Sequence, residues 1–160
     1  YPVLPLWVRR AFSLFSRILG VMFLMAKAII GSILVVCTYL FWFGYVYVLQ
    51  NDLFFYHPWI DIPFHIAGGF LLALLFGLIL LIRQERVLNR ITYYWIVWFA
   101  MIIGVIWEYY EYIFKLQDTR GNLLIDTIAD IGNDFIGALL ALGLFIVIVR
   151  YTTRKYHHEV

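Results

Sequence analysis

Apolar residues in this chain do not alternate with polar ones; they gather in long runs broken by short polar turns. Residues 28–49, 61–82, 91–114 and 126–149 are each dominated by aliphatic and aromatic side chains, and each reaches about the 20 residues a helix needs to cross the hydrocarbon core of a bilayer. Between them lie Gln50-Asn51-Asp52 with the aromatic stretch 53–59, the turn Arg83-Gln84-Glu85-Arg86 to Arg90, and the segment 115–125, polar in its first half. Ahead of the first run, Arg9, Arg10 and Arg17 interleave with Trp7, Phe12, Leu14, Phe15, Ile18 and Leu19. That pattern suits an amphipathic helix lying in the interface, or a short tilted span. The pattern predicts an all-α integral membrane bundle of about four transmembrane helices. An N-terminal interfacial segment (1–27) precedes the bundle (28–150), and a basic tail (151–160) follows it.

Composition agrees with that expectation. Charged residues make up 14% of the chain and hydrophobic ones 64%, whereas soluble domains carry roughly a quarter of their residues as charges. The net charge of +2 is too small to suggest nucleic-acid binding. The single cysteine, Cys37, lies in an apolar run, which excludes an intrachain disulfide and any cysteine metal motif. No small-residue cleavage site gives the opening segment the look of a signal peptide.

The placement of the basic residues sets the orientation. Arg9, Arg10, Arg17, Lys27, Arg83, Arg86, Arg90, Arg150, Arg154 and Lys155 fall on one side of a four-span layout, against Lys115 and Arg120 on the other. By the positive-inside rule both termini are expected in the cytoplasm, with the protein multi-pass in the inner (plasma) membrane.

The acidic residues then stand out by depth. Asp61 and His65 open the second span, Glu108 and Glu111 close the third, and Asp126, Asp130, Asn133 and Asp134 open the fourth at offsets that share a helical face. All three groups are expected at the non-cytoplasmic side. A carboxylate there costs several kcal/mol unless water, a partner or a cation compensates it. Protons or a divalent cation would relieve the mutual repulsion of six such acids. Magnesium and manganese suit oxygen ligands, and a mixed His–carboxylate set also suits zinc. The expected metal ligands are His65, Glu111, Asp130, Asp126 and Asp61, with Glu108, Asp134 and Arg120 as catalytic residues. Arg120 and Asn133 are the expected substrate contacts. Arg120 would clamp a phosphate or simply neutralise nearby acids. A bland reading stands beside the functional one: Asp61 and Asp126 cap helices, Glu108 or Glu111 pairs with Arg120, and the network only fixes packing. Gly68-Gly69, Gly132 and Gly137 flank these groups and would permit close helix contact. Gly77, Gly104 and Gly143 read as ordinary packing positions. Tyr109, Tyr110 and Tyr112 read as an interface belt.

Three stretches carry a family resemblance. Asp61-Ile62-Pro63-Phe64-His65 with Gly68-Gly69, Trp107-Glu108-Tyr109-Tyr110-Glu111, and the segment from Asp126 through Asp130, Asn133 and Asp134 to Gly137 resemble the motifs of the VanZ-like membrane proteins. The Glu108/Glu111 pair differs from the Glu-then-Gln form of VanZ proper and fits the YjdF-like branch. The resemblance covers roughly residues 60–145 and implies a polytopic bundle without bringing a settled reaction.

Two functions are compatible with these residues. The first is a metal-dependent membrane enzyme acting at the extracytoplasmic side on a lipid or polyprenyl phosphate headgroup. A spare carboxylate would activate water, and Arg120 with the metal would stabilise negative charge. The second is a non-enzymatic protein that binds or conducts a cation or assists a partner, its acidic cluster structural or proton-linked. Spans two and four are almost wholly apolar over 71–82 and 139–149, which opposes a pore through one chain and leaves a homo-oligomer as the route to one.

Overall fold

The computed structural model describes residues 5–83, 89–114 and 122–154. The described residues form four long helices: α1 (Leu6–Gln50), α3 (Asp61–Arg83), α4 (Arg90–Phe114) and α5 (Leu123–Arg154). A single turn, α2 (Leu53–Tyr56), and a 3₁₀ turn over Pro58–Ile60 join α1 to α3. Each of the four long helices contains a stretch long and apolar enough to cross a membrane: Gly20–Gln50, Pro58–Arg83, Arg90–Phe114 and Leu123–Thr152. The expected all-α membrane bundle is therefore the fold.

The helix ends follow local chemistry. The Asn89 side-chain oxygen accepts the backbone N–H of Thr92 at 2.9 Å at the start of α4, and Asn122 accepts that of Leu124 at 3.0 Å at the start of α5. Both bonds satisfy amides that a helix N-terminus leaves without partners. At the end of α1 the Asn51 amide donates back to the Tyr47 carbonyl at 2.8 Å. Asp52 then turns into the left-handed region at φ 52°, a conformation Asp tolerates and a β-branched residue would resist.

α1 passes through Lys27 without a break, although the sequence suggests a boundary there. No proline interrupts residues 6–50, and Arg and Lys are good helix formers, so nothing in the backbone stops the helix where the charges end. Its 45 residues extend about 68 Å at 1.5 Å per residue.

α3 and α5 form the central pair, and α1 and α4 each pack on both. Glycine explains the closeness of the central pair. A Cβ at Gly69 would collide with the Asp134 carbonyl, and one at Gly137 with the Ile66 carbonyl. The two backbones touch at these positions, as small residues in membrane helices allow. Gly132, expected to take part, meets nothing within 4 Å.

The buried residues of α3 and α4 repeat every fourth position, as one face of a helix should. Along α3 they include His65, Gly69, Ala73, Gly77 and Leu81; along α4 they are Thr92, Ile96, Ala100, Gly104 and Glu108. The helices run antiparallel, so polar residues meet at one end, small ones in the middle and bulky ones at the other. Leu74, Leu81, Ile96, Phe145 and Ile30 are fully enclosed there and belong to one apolar cluster.

Candidate functional site

His65 sits one turn into α3 with only 6% of its surface exposed. Its Nε2 faces three carboxylate oxygens: Asp61 Oδ1 at 3.7 Å, Glu108 Oε1 at 3.9 Å and Asp130 Oδ1 at 3.8 Å. On the other side of the ring, Nδ1 faces Asp134 Oδ1 at 3.5 Å. One imidazole thus draws acids from α3, α4 and α5. Glu108, Asp130 and Asp134 are buried, while Asp61, Glu111 and Asp126 are half-buried at the rim.

Two overlapping groups have the spacing of a cation site. Asp61, His65 and Asp130 form one, and His65, Glu108 and Glu111 the other; within each, the donor atoms lie within 4.8 Å of one another. Ligands opposite each other across an ion with bonds of about 2.1–2.6 Å are about 4.2–5.2 Å apart, so either group can reach a common cation. The donors, one imidazole and several carboxylates, are those that zinc, manganese or magnesium would accept.

Other side chains hold the acids in place. The Trp107 indole N–H donates to Glu111 Oε1 at 2.7 Å, one turn apart on α4. Thr127 of α5 hydrogen-bonds the Glu108 side chain. A Cβ at Gly104 would run into Asp134 Oδ2, and one at Gly68 would stand 3.8 Å from Asp134 Oδ1. Asp134 therefore packs into a slot made by glycines of α3 and α4.

The cluster borders a cavity of about 960 Å³ with a mixed lining. Asp61, His65, Glu111, Asp126 and Asp134 are its polar lining, and Phe41, Tyr45, Phe54 and Phe64 are among its aromatic lining. The Phe64 ring centre lies 5.4 Å from that of Phe41, 5.8 Å from Tyr45 and 5.5 Å from Phe54, so α1, α2 and α3 together build the aromatic wall.

Most of the residues expected at the site converge. Asp61, His65, Glu108, Asp130 and Asp134 meet directly, Glu111 joins through its shared group with His65 and Glu108, and Asp126 lines the cavity. Asn133 is half-buried and does not line it. Arg120 lies outside the described residues. Asp126 is not a helix cap: α5 begins three residues earlier and Asn122 takes that role. Sequence reasoning gave Trp107 and Thr127 no role of their own, read Gly104 as ordinary packing and did not assemble the aromatic wall. The spacing of Trp107 to Glu111 and of Gly104 to Glu108, one turn in each case, is the signal that points to the first and third.

An all-helical membrane protein with an acid–histidine cluster at one end of its bundle is the class these observations define. The chain belongs to the DUF2238 family of predicted membrane proteins, whose model matches residues 4–151. No curated protein and no solved structure matches it.

Proposed function

We propose that this protein binds a divalent cation at the His65 cluster and uses it to act on a lipid or polyprenyl phosphate headgroup from the extracytoplasmic side of the plasma membrane. One observation carries the reading: four carboxylates from three helices surround a single imidazole at 3.5–3.9 Å, beside a cavity lined by both acidic and aromatic side chains. So many acids around one histidine carry excess negative charge unless protons or a cation offset it.

In this reading Asp61, Asp130 and His65 hold the ion, with Glu111 completing the set. Asp134 has a different part from the one its helix position suggests. It faces Nδ1, away from the other acids, and so fixes the ring with Nε2 turned toward the ion, the usual duty of a carboxylate behind a metal-binding histidine. Glu108, buried beside the cluster, is the carboxylate to accept a proton from water. Arg120, which lies between α4 and α5 in the sequence, would clamp the phosphate through its planar guanidinium. A bound cation would supply Lewis acidity and charge stabilisation.

The resemblance of the three motif stretches to VanZ-like proteins of the YjdF-like branch supports treating His65, Glu108, Glu111 and Asp130 as one functional set. The concentration of basic residues at the opposite end supports cytoplasmic termini.

A second reading, a cation-binding accessory protein without catalysis, rests on the same cluster. Conduction through one chain is disfavoured, because Leu74, Leu81, Ile96 and Phe145 close the interior beyond the site. The test is elemental mass spectrometry of the detergent-purified protein beside folded His65→Ala, Glu111→Gln and Asp130→Asn variants, followed by assay of phosphate release from lipid phosphates. Near-stoichiometric metal lost in all three variants, with metal-dependent release, supports the enzyme. Metal without turnover favours the accessory role, and no metal after incubation with magnesium, manganese, zinc and calcium removes both.

A further inference from the structure

A second cavity of about 500 Å³ lies between α1 and α3, and its lining is almost entirely apolar: Cys37, Leu40, Gly44, Ala67 and Leu71 are among its walls. It shares Phe41 and Phe64 with the acid–histidine cavity. Gly44 keeps it open from the α1 side, since a Cβ there would meet only the tip of Phe64, at 3.9 Å. On α3 the groove runs from Pro63 to Leu71, about 12 Å at 1.5 Å per residue.

We propose that this groove holds one hydrocarbon tail of the lipid whose phosphate head enters the cavity beside His65. The inference rests on the phosphate-headgroup reading and adds where the rest of the molecule lies. Three observations commit the occupant to a lipid tail. The groove lies within apolar stretches of α1 and α3 that cross the membrane, where hydrocarbon chains are the available ligand. Its lining offers no charge and would leave the polar part of any other ligand unsatisfied. It meets the acidic cavity at Phe41 and Phe64, so a molecule with a charged head and an apolar tail matches both spaces at once. The aromatic partition would then sit at the junction of head and tail, where aromatic rings favour an environment wet on one side and apolar on the other.

The experiment uses the full chain in phosphatidylcholine nanodiscs containing a trace of phosphatidic acid with a diazirine in one acyl chain. After illumination, adducts are mapped by peptide mass spectrometry. The expected result is several-fold denser labelling at Leu40, Ala67 and Leu71 than at Ile102 and Ile106, which are exposed on α4. Gly44→Phe, filling the groove from α1, and Ala67→Phe, filling it from α3, should each reduce groove labelling several-fold without changing bound metal. Labelling as dense on α4 as in the groove overturns the proposal, as does labelling in the groove that neither folded variant reduces. The metal reading is judged separately on the same samples. Groove labelling in protein that binds no metal keeps the tail site and removes the metal chemistry; bound metal with scattered labelling does the reverse.

Discussion

The carboxylate of Asp134 on α5 occupies the space in which any side chain at position 104 of α4 would stand. Gly104 is thus a condition for where Asp134 points, and through Asp134 for how His65 is held. Gly104→Ala should push the carboxylate off Nδ1 at an overpacking cost of about 1–3 kcal/mol. Unfolding in detergent and metal titration would both register it. Gly143→Ala, where nothing lies within 4 Å, should leave both unchanged; equal effects at the two positions would mean that the slot is not specific.

Asp130 and Asp134 lie one turn apart on α5 yet face opposite nitrogens of His65. Asp130→Asn removes a charged donor from the proposed ion site, and metal should no longer purify with the protein. Asp134→Asn should retain metal with affinity lower by about 10–100-fold, the usual range for losing the partner behind a histidine ligand. Calorimetric titration of the two variants separates the roles, and identical losses would count against the distinction.

Trp107→Phe keeps a ring on α4 but removes the donor to Glu111 Oε1. The loss should be about 0.5–1.5 kcal/mol, seen as a drop in metal affinity of about tenfold or less with the fold intact by circular dichroism. A wild-type affinity in Trp107→Phe would show that Glu111 needs no anchor.

Because ligating carboxylates and histidine must be free of protons, metal uptake should release protons and weaken as the medium becomes more acidic. Titrating the metal in two buffers of different ionisation enthalpy measures the protons released per ion. Uptake independent of pH would argue for an ion held through water alone.

Orientation can be read with a thiol reagent that does not cross membranes. In a Cys37→Ser background, Asn51→Cys lies in the turn after α1, at the acidic end and exposed. It should react from outside intact spheroplasts, whereas Ser13→Cys, at the basic end, should react only after lysis. The reverse pattern would invert the topology.

Much of this arrangement could be read from residue types and spacing. Hydrophobic runs fixed the spans because hydrocarbon thickness sets a length, and the depth of His65, Glu108 and Asp130 followed from their distance to the ends of those runs. Rotation was harder. Spacing places Asp130 and Asp134 on one face of α5 without saying that they straddle an imidazole; that depends on the backbone contact at Gly69 and Gly137. Gly104 was misread as general packing because nothing within α4 shows which carboxylate of another helix fills its space. Lys27 marks where charge gives way to the apolar run, and α1 continues through it because a charge carries no instruction for a helix to stop.

The apolar cluster around Leu81, Ile96 and Phe145 has one more consequence. Among the described residues it fills the interior beyond the acidic end with apolar side chains, which offer a proton no hydrogen-bonding partners along which to hop. The pocket of carboxylates can therefore gather charge at one end of the bundle without the described residues offering protons a polar route to the other.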